Sequence, residues 1–166
     1  MLENRTRVKT DMSKAFDRVK WDFLFKLVET VGFPEHWINL IKECVNTVVY
    51  SVIVNGQVSD TFKPSCGLRQ RDPLSPIFFA LYTEALSSSL QFHQDQGTLK
   101  GIGLARNGPK FTHLLFADDS YFFMHLDNKS LDSFRSKLSI FCYDSGQIVN
   151  QNKSIITFSP LYPQGC

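Results

Sequence analysis

Apolar residues recur along the chain in two rhythms, one helical and one alternating, and the switches between them mark out the elements. Before residue 11 a short strand-like stretch carries Val8. Leu24, Leu27, Val28 and Val31 then repeat at a period of about 3.6, and Gly32 can close the helix they predict. Pro34 suits the first turn of a second helix carrying Trp37, Ile38, Ile41, Cys44 and Val45 inward. The β-branched and aromatic run 48–54, the dipeptide Asn55-Gly56 and the run 58–62 predict a β-hairpin. Pro73 and Pro76 open a long helix through Ile77, Phe78, Leu81, Tyr82, Ala85 and Leu86 that fades near 93–97. A strand at 99–104, a Gly108-Pro109 turn and two apolar runs flanking Asp118-Asp119 read as completing a central sheet. Leu131, Phe134, Leu138, Phe141 and Cys142 mark a last amphipathic helix, ended by Gly146, before a strand at 155–158.

Tight hairpins require antiparallel pairing, so this interleaving predicts an α+β fold, an antiparallel sheet with helices packed on one face, over a doubly wound one. No repeat, linker or low-complexity segment interrupts the pattern, and 1–166 reads as one continuous domain.

Composition agrees with a folded chain: 166 residues, 43% hydrophobic with fifteen phenylalanines, can bury a core. Eighteen basic against sixteen acidic residues leave a net charge of +2, short of the strongly basic footprint of a self-sufficient nucleic-acid binder. Charge alone therefore names no partner, and a local basic groove stays open as a reading. Cys44, Cys66, Cys142 and Cys166 show no zinc-ligand spacing, which predicts free thiols in a reducing compartment. The four histidines form no cluster. The first residues lack the apolar core of a secretory signal and no apolar run reaches bilayer length, so a soluble, intracellular chain without a membrane partner is expected.

The chemistry concentrates in Leu114-Leu115-Phe116-Ala117-Asp118-Asp119, followed by Tyr121-Phe122-Phe123-Met124. This reads as a hairpin with two carboxylates at its tip. Such a pair costs repulsion and desolvation unless a cation or proton neutralises it. Alone it would be an ordinary solvated turn. A third carboxylate, Asp11, ends the first strand, and three carboxylates delivered by strand ends suit hard Mg²⁺.

Three further segments change the weight of that pattern: Asp11-Met12-Ser13-Lys14-Ala15-Phe16-Asp17-Arg18-Val19, Gly67-Leu68-Arg69-Gln70-Arg71-Asp72-Pro73-Leu74-Ser75-Pro76, and Ser145-Gly146-Gln147-Ile148-Val149-Asn150 with Lys153 close behind. In this order the segments resemble the palm motifs of reverse transcriptases of the non-LTR retrotransposon (LINE) type, especially plant members, over about 8–160. The resemblance implies a polymerase-type palm that copies an RNA template from a DNA primer with deoxynucleotides, using two Mg²⁺ ions. It implies that Asp11 and Asp118 bridge the metals, that Asp119 is a nearby ligand or lies just behind the ligands, and that the Met12 carbonyl adds an oxygen. Phe16 would be the ring under the incoming sugar that excludes a 2′-hydroxyl. Gln70 and Arg69 would contact nucleotide and template–primer, and Lys153 would protonate departing pyrophosphate. The nucleus is a location compatible with the resemblance. Without these motifs, Phe16 would read as a core aromatic, the Gly67 loop as a turn and Lys153 as a surface lysine.

Two departures from the family pattern carry expectations of their own. Arg71 stands where the motif has glycine, adding a Cβ and a fixed charge beside Gln70. It could grip template phosphate, but obstruction of the groove or displacement of Gln70 is the favoured expectation. Ten residues precede Asp11 and few follow Pro160, so the fingers read as incomplete, the thumb as absent and the domain as truncated at both ends. Weak or absent activity in isolation follows, because metal ligands without substrate grips forfeit positional advantage. The competing reading is a non-catalytic remnant that at most binds RNA or a protein; a maturase-like palm is a third, less close to these motifs. Template specificity and oligomeric state stay open.

Overall fold

The computed structural model describes residues 5–103, 105, 108–116 and 119–159. Its elements run β1 (Arg5–Asp11), a 3-10 turn (Phe16–Arg18), α1 (Trp21–Val31), α2 (Glu35–Asn46), β2 (Ile53–Val54), β3 (Gln57–Val58), α3 (Ser75–Asp95), β4 (Ile102–Gly103), β5 (Lys110–Phe111), β6 (His113–Phe116), β7 (Asp119–His125), α4 (Asn128–Ser145) and β8 (Ile155–Phe158). They group into two compact units, one made of Phe16–Tyr82 and the other of the segments before and after it; α3 begins in the first and ends in the second.

The flanking segments build a four-stranded sheet in the order β6-β7-β1-β8, every ladder antiparallel. Alternation does the sorting. In β1 and β7 the even-numbered residues, Thr6, Val8 and Thr10 against Met124, Phe122 and Ser120, are buried. The odd-numbered ones, from Arg5 to Asp11 and from Asp119 to His125, line the more open face. Helix α4 covers the buried face, its Phe134 ring 4.7 Å from that of Phe122. Asp127 caps that helix: its carboxylate accepts from the Ser130 backbone N–H at 2.9 Å and the Ser130 hydroxyl at 3.1 Å. Those bonds, the backbone one foremost, hold its pKa below the usual carboxylate value. Gly146 closes α4 in the left-handed region.

In the unit Phe16–Tyr82, α1 ends on left-handed Gly32, and Asn55 and Gly56 both take positive φ, as a two-residue hairpin turn requires. The β2–β3 ladder is short, with Tyr50 and Phe62 bridged beyond it. Two expectations fail here. Ile38, Ile41 and Val45 of α2 are buried, but Trp37 is 52% exposed and Cys44 is exposed: they lie on the next stripe around the helix, which nothing in this unit covers. The 99–104 stretch also does not complete the central sheet. Leu99 is buried, the Lys100 carbonyl accepts from His125 N–H, and the chain then leaves at Gly101 to form a separate two-stranded ladder, β4–β5. At Gly101 a Cβ would sit 2.7 Å from the Phe111 carbonyl oxygen, so the close approach needs glycine.

Candidate metal and nucleotide site

In the β1–β7 ladder, Asp11 and Asp119 are direct cross-strand partners at the end of the sheet. Opposed residues share a face, so both carboxylates leave the sheet on its open side. Their side chains are 19% and 38% exposed. Asp118, the remaining predicted carboxylate, lies outside the described residues; it directly precedes Asp119 in sequence. Oxygen donors concentrated there fit a hard divalent cation better than a soft one. Among the described residues, no cluster of three or more histidine, cysteine, aspartate or glutamate side chains forms a metal-holding group.

The strand end that presents Asp11 is fastened from the far end of the chain. Asn150 N–H donates to the Asp11 carbonyl at 2.8 Å, Ser13 N–H donates to the Ile148 carbonyl at 2.8 Å, and the Asp11 N–H reaches Ser154 Oγ at 3.4 Å. Gln147, only 3% exposed, donates from Nε2 to the Ala15 carbonyl at 2.9 Å. The 147–150 segment thus splints the Asp11 strand end beyond the regular ladder. Gln147 and Ser154 had no local signal as positioning groups, because their partners lie more than 130 residues away in sequence.

Two lysines meet the carboxylates. Lys153 Nζ lies 4.0 Å from Asp11 Oδ2, a long ion pair. Lys9 Nζ lies 3.0 Å from Asp119 Oδ1 and 5.6 Å from the Tyr121 ring centroid. The hydrogen bond to Asp119 is the main cause that raises the Lys9 pKa above the ordinary lysine value. Sequence reading passed over Lys9, although its spacing of two residues from Asp11 puts it on the same face of the strand.

The predicted nucleotide contacts, Phe16, Arg69 and Gln70, fall in the unit Phe16–Tyr82. The Phe16 ring stacks on Phe79 with centroids 4.6 Å apart. The Gly67 loop is stitched to the segment after Phe16: Gly67 N–H donates to the Val19 carbonyl and Leu68 N–H to the Phe16 carbonyl, each at 2.8 Å, and Trp21 Nε1 donates to the Gly67 carbonyl at 2.7 Å. Gly67 has φ of +92, and a Cβ there would approach the Asp17 carbonyl oxygen to 2.9 Å. Gln70 Nε2 donates to Asp17 Oδ1 at 3.0 Å. A cavity of about 410 Å³ opens beside this loop, lined among others by Trp21, Tyr50, Arg69, Gln70, Asp72 and Phe78. Arg71 is exposed with φ of +67.

This architecture, an antiparallel sheet backed by helices with paired aspartates at one end, is a palm-type α+β fold. Solved structures with the same fold include apo telomerase of Candida tropicalis truncated from the C-terminal domain (TM-score 0.71, 17% identity, 99% of this chain and 32% of that one). Telomerase of Candida albicans in complex with a TWJ fragment of telomeric RNA is another (TM-score 0.69, 17% identity, 96% and 27%). Residues 2–161 match the reverse transcriptase (RNA-dependent DNA polymerase) family, and the chain belongs to it. An uncharacterized mitochondrial protein of Arabidopsis thaliana is 52% identical over 68 residues, 41% of this chain and 56% of that protein. A retrovirus-related Pol polyprotein from a type-1 retrotransposable element of Popillia japonica is 32% identical over 114 residues, 68% of this chain and 15% of the polyprotein. The chain therefore spans between about a seventh and somewhat over half of these two relatives. The relationship to non-LTR elements and the palm fold agree with the sequence reading.

Proposed function

We propose that this chain is the palm of an RNA-directed DNA polymerase of the non-LTR retrotransposon type, acting on an RNA template, a DNA primer and deoxynucleotides. The cross-strand register of Asp11 and Asp119 carries the reading, because it sets the end of β1 against the residue that directly follows Asp118 in a chain of this family. Asp11 and Asp118 would hold two Mg²⁺ ions, with Asp119 beside them. Bound there, the ions would supply a lowered pKa at the primer 3′-hydroxyl and charge neutralisation on the triphosphate. The chain's own groups do the rest. Phe16 limits room under the sugar, Arg69 and Gln70 orient nucleotide and template, and Lys153 stands ready as a proton donor to pyrophosphate. The nucleus is the proposed compartment.

Primer extension on an RNA template with Mg²⁺ tests the assignment. The chain should extend the primer weakly, and Asp118→Ala or Asp11→Asn should abolish extension; extension that survives Asp118→Ala contradicts the metal role. Two observations favour a second reading, a remnant that binds RNA without copying it: the Gln70 amide is turned onto Asp17, and Arg71 stands beside it where the family motif has glycine. Salt-dependent RNA binding with no incorporation, even by Arg71→Gly, would select that reading.

A further inference from the structure

The two described carboxylates at the sheet end are not equivalent. Asp119 has an ammonium in hydrogen-bonding contact, Lys9 Nζ at 3.0 Å, whereas the cation nearest Asp11, Lys153 Nζ, stands at 4.0 Å. The Lys9 contact is built into the ladder. Lys9 faces Tyr121 across the strands and Asp11 faces Asp119, so Lys9 reaches Asp119 along the diagonal, a distance a long side chain can span. The Tyr121 ring lies beneath the ammonium, its centroid 5.6 Å from Nζ. Lys9, Tyr121, Asp11 and Asp119 all share the open face of the sheet, so the lysine competes directly with any ion brought to that face.

We propose that Lys9 is a positioning residue whose ammonium occupies Asp119, withholding that carboxylate from the divalent ion and leaving Asp11 with Asp118 as the binding pair. The inference rests on the metal site proposed above. In physical terms, Lys9 is a tethered monovalent cation already bound at one third of the acidic cluster. It neutralises the carboxylate that would otherwise add a competing ligand geometry and a further negative charge. A divalent ion brought to that face then meets Asp119 already paired, while Asp11 carries only the longer contact with Lys153.

Mn²⁺ titration of the whole chain, followed by loss of the free-ion EPR signal at low salt, separates this from a merely structural lysine. Lys9→Met keeps the aliphatic stem against Tyr121 and removes the charge. It should bind Mn²⁺ about five- to tenfold more tightly, the scale expected from deleting one unit charge a few Å from a divalent ion near water. Lys9→Arg should behave like the unaltered chain. Lys9→Met combined with Asp119→Asn should lose the gain, because the freed carboxylate is its source. Unchanged affinity in Lys9→Met, or a gain that persists without Asp119, overturns the proposal. Lys9→Gln carries the same expectations should the methionine variant fail to fold, as judged by circular dichroism. Asp11→Asn in the unaltered background tests the underlying site: if it leaves Mn²⁺ binding intact, the metal reading itself falls, an outcome distinct from failure of the Lys9 variants.

Discussion

Arg71 sits in the left-handed region at φ of +67, the conformation that costs an L-residue with a Cβ about 1–2 kcal/mol. The backbone has kept the turn that glycine would adopt, and the exposed arginine bears the strain. Arg71→Gly should therefore raise the urea midpoint at unchanged slope, with a gain of up to about 1 kcal/mol after glycine's own entropy cost. Arg71→Ala keeps the Cβ and should give no comparable gain. Equal stability of all three would mean that the turn is not strained. The substitution was visible in the sequence; the conformation it occupies was not, because a positive φ at a residue with a Cβ has no local sequence signal. Lys9 illustrates the complementary case: its face was readable from its spacing to Asp11, but its partner follows from the register of β1 on β7.

Between elements, the second half of α3 is clasped to β6 through a histidine. His113 Nε2 lies 3.0 Å from Ser87 Oγ and its Nδ1 lies 2.8 Å from Thr112 Oγ1. Burial lowers its pKa below the ordinary histidine value, and the Glu84 charge opposes this weakly. A histidine held neutral in the fold takes up a proton more readily once unfolded. Its contribution is complete above the unfolded value of about 6.5 and is lost as pH falls below that toward the depressed folded value. Urea denaturation between pH 7.5 and 5.5 should show a smaller acid loss for His113→Gln than for the unaltered chain. An identical loss would remove His113 from the account. At this scale helix ends were legible because Gly32 and Gly146 leave a backbone signature, and the Asn55-Gly56 turn likewise. Exposure of Trp37 and Cys44 was not, since a wide apolar stripe does not say how much of itself will be covered. The separate β4–β5 ladder was equally hidden, because the sharp departure at Gly101 depends on Phe111 passing close by.

For the whole molecule, the ordered motifs announced the palm, and the strand order β6-β7-β1-β8 explains why they are so far apart in sequence. The central pair β7-β1 joins segments more than a hundred residues apart, and the 147–150 segment returns to brace the same strand end. That long-range closure is what gathers acidic residues on one edge, and it requires the fold before the site can exist. No helix among the described residues is long and apolar enough to cross a membrane. Localised backbone cleavage is the sharpest test of whether Asp11 and Asp118 hold divalent ions with Asp119 beside them. Fe²⁺ taken up in place of Mg²⁺ reduces added hydrogen peroxide to hydroxide and a hydroxyl radical, itself becoming Fe³⁺ that added ascorbate returns to Fe²⁺, and the radicals cut the chain near the bound ion. Cuts should cluster at 10–12 and 117–120, be suppressed by excess Mg²⁺ and be lost in Asp118→Ala. Cuts confined to other segments, or unchanged in that variant, would contradict it.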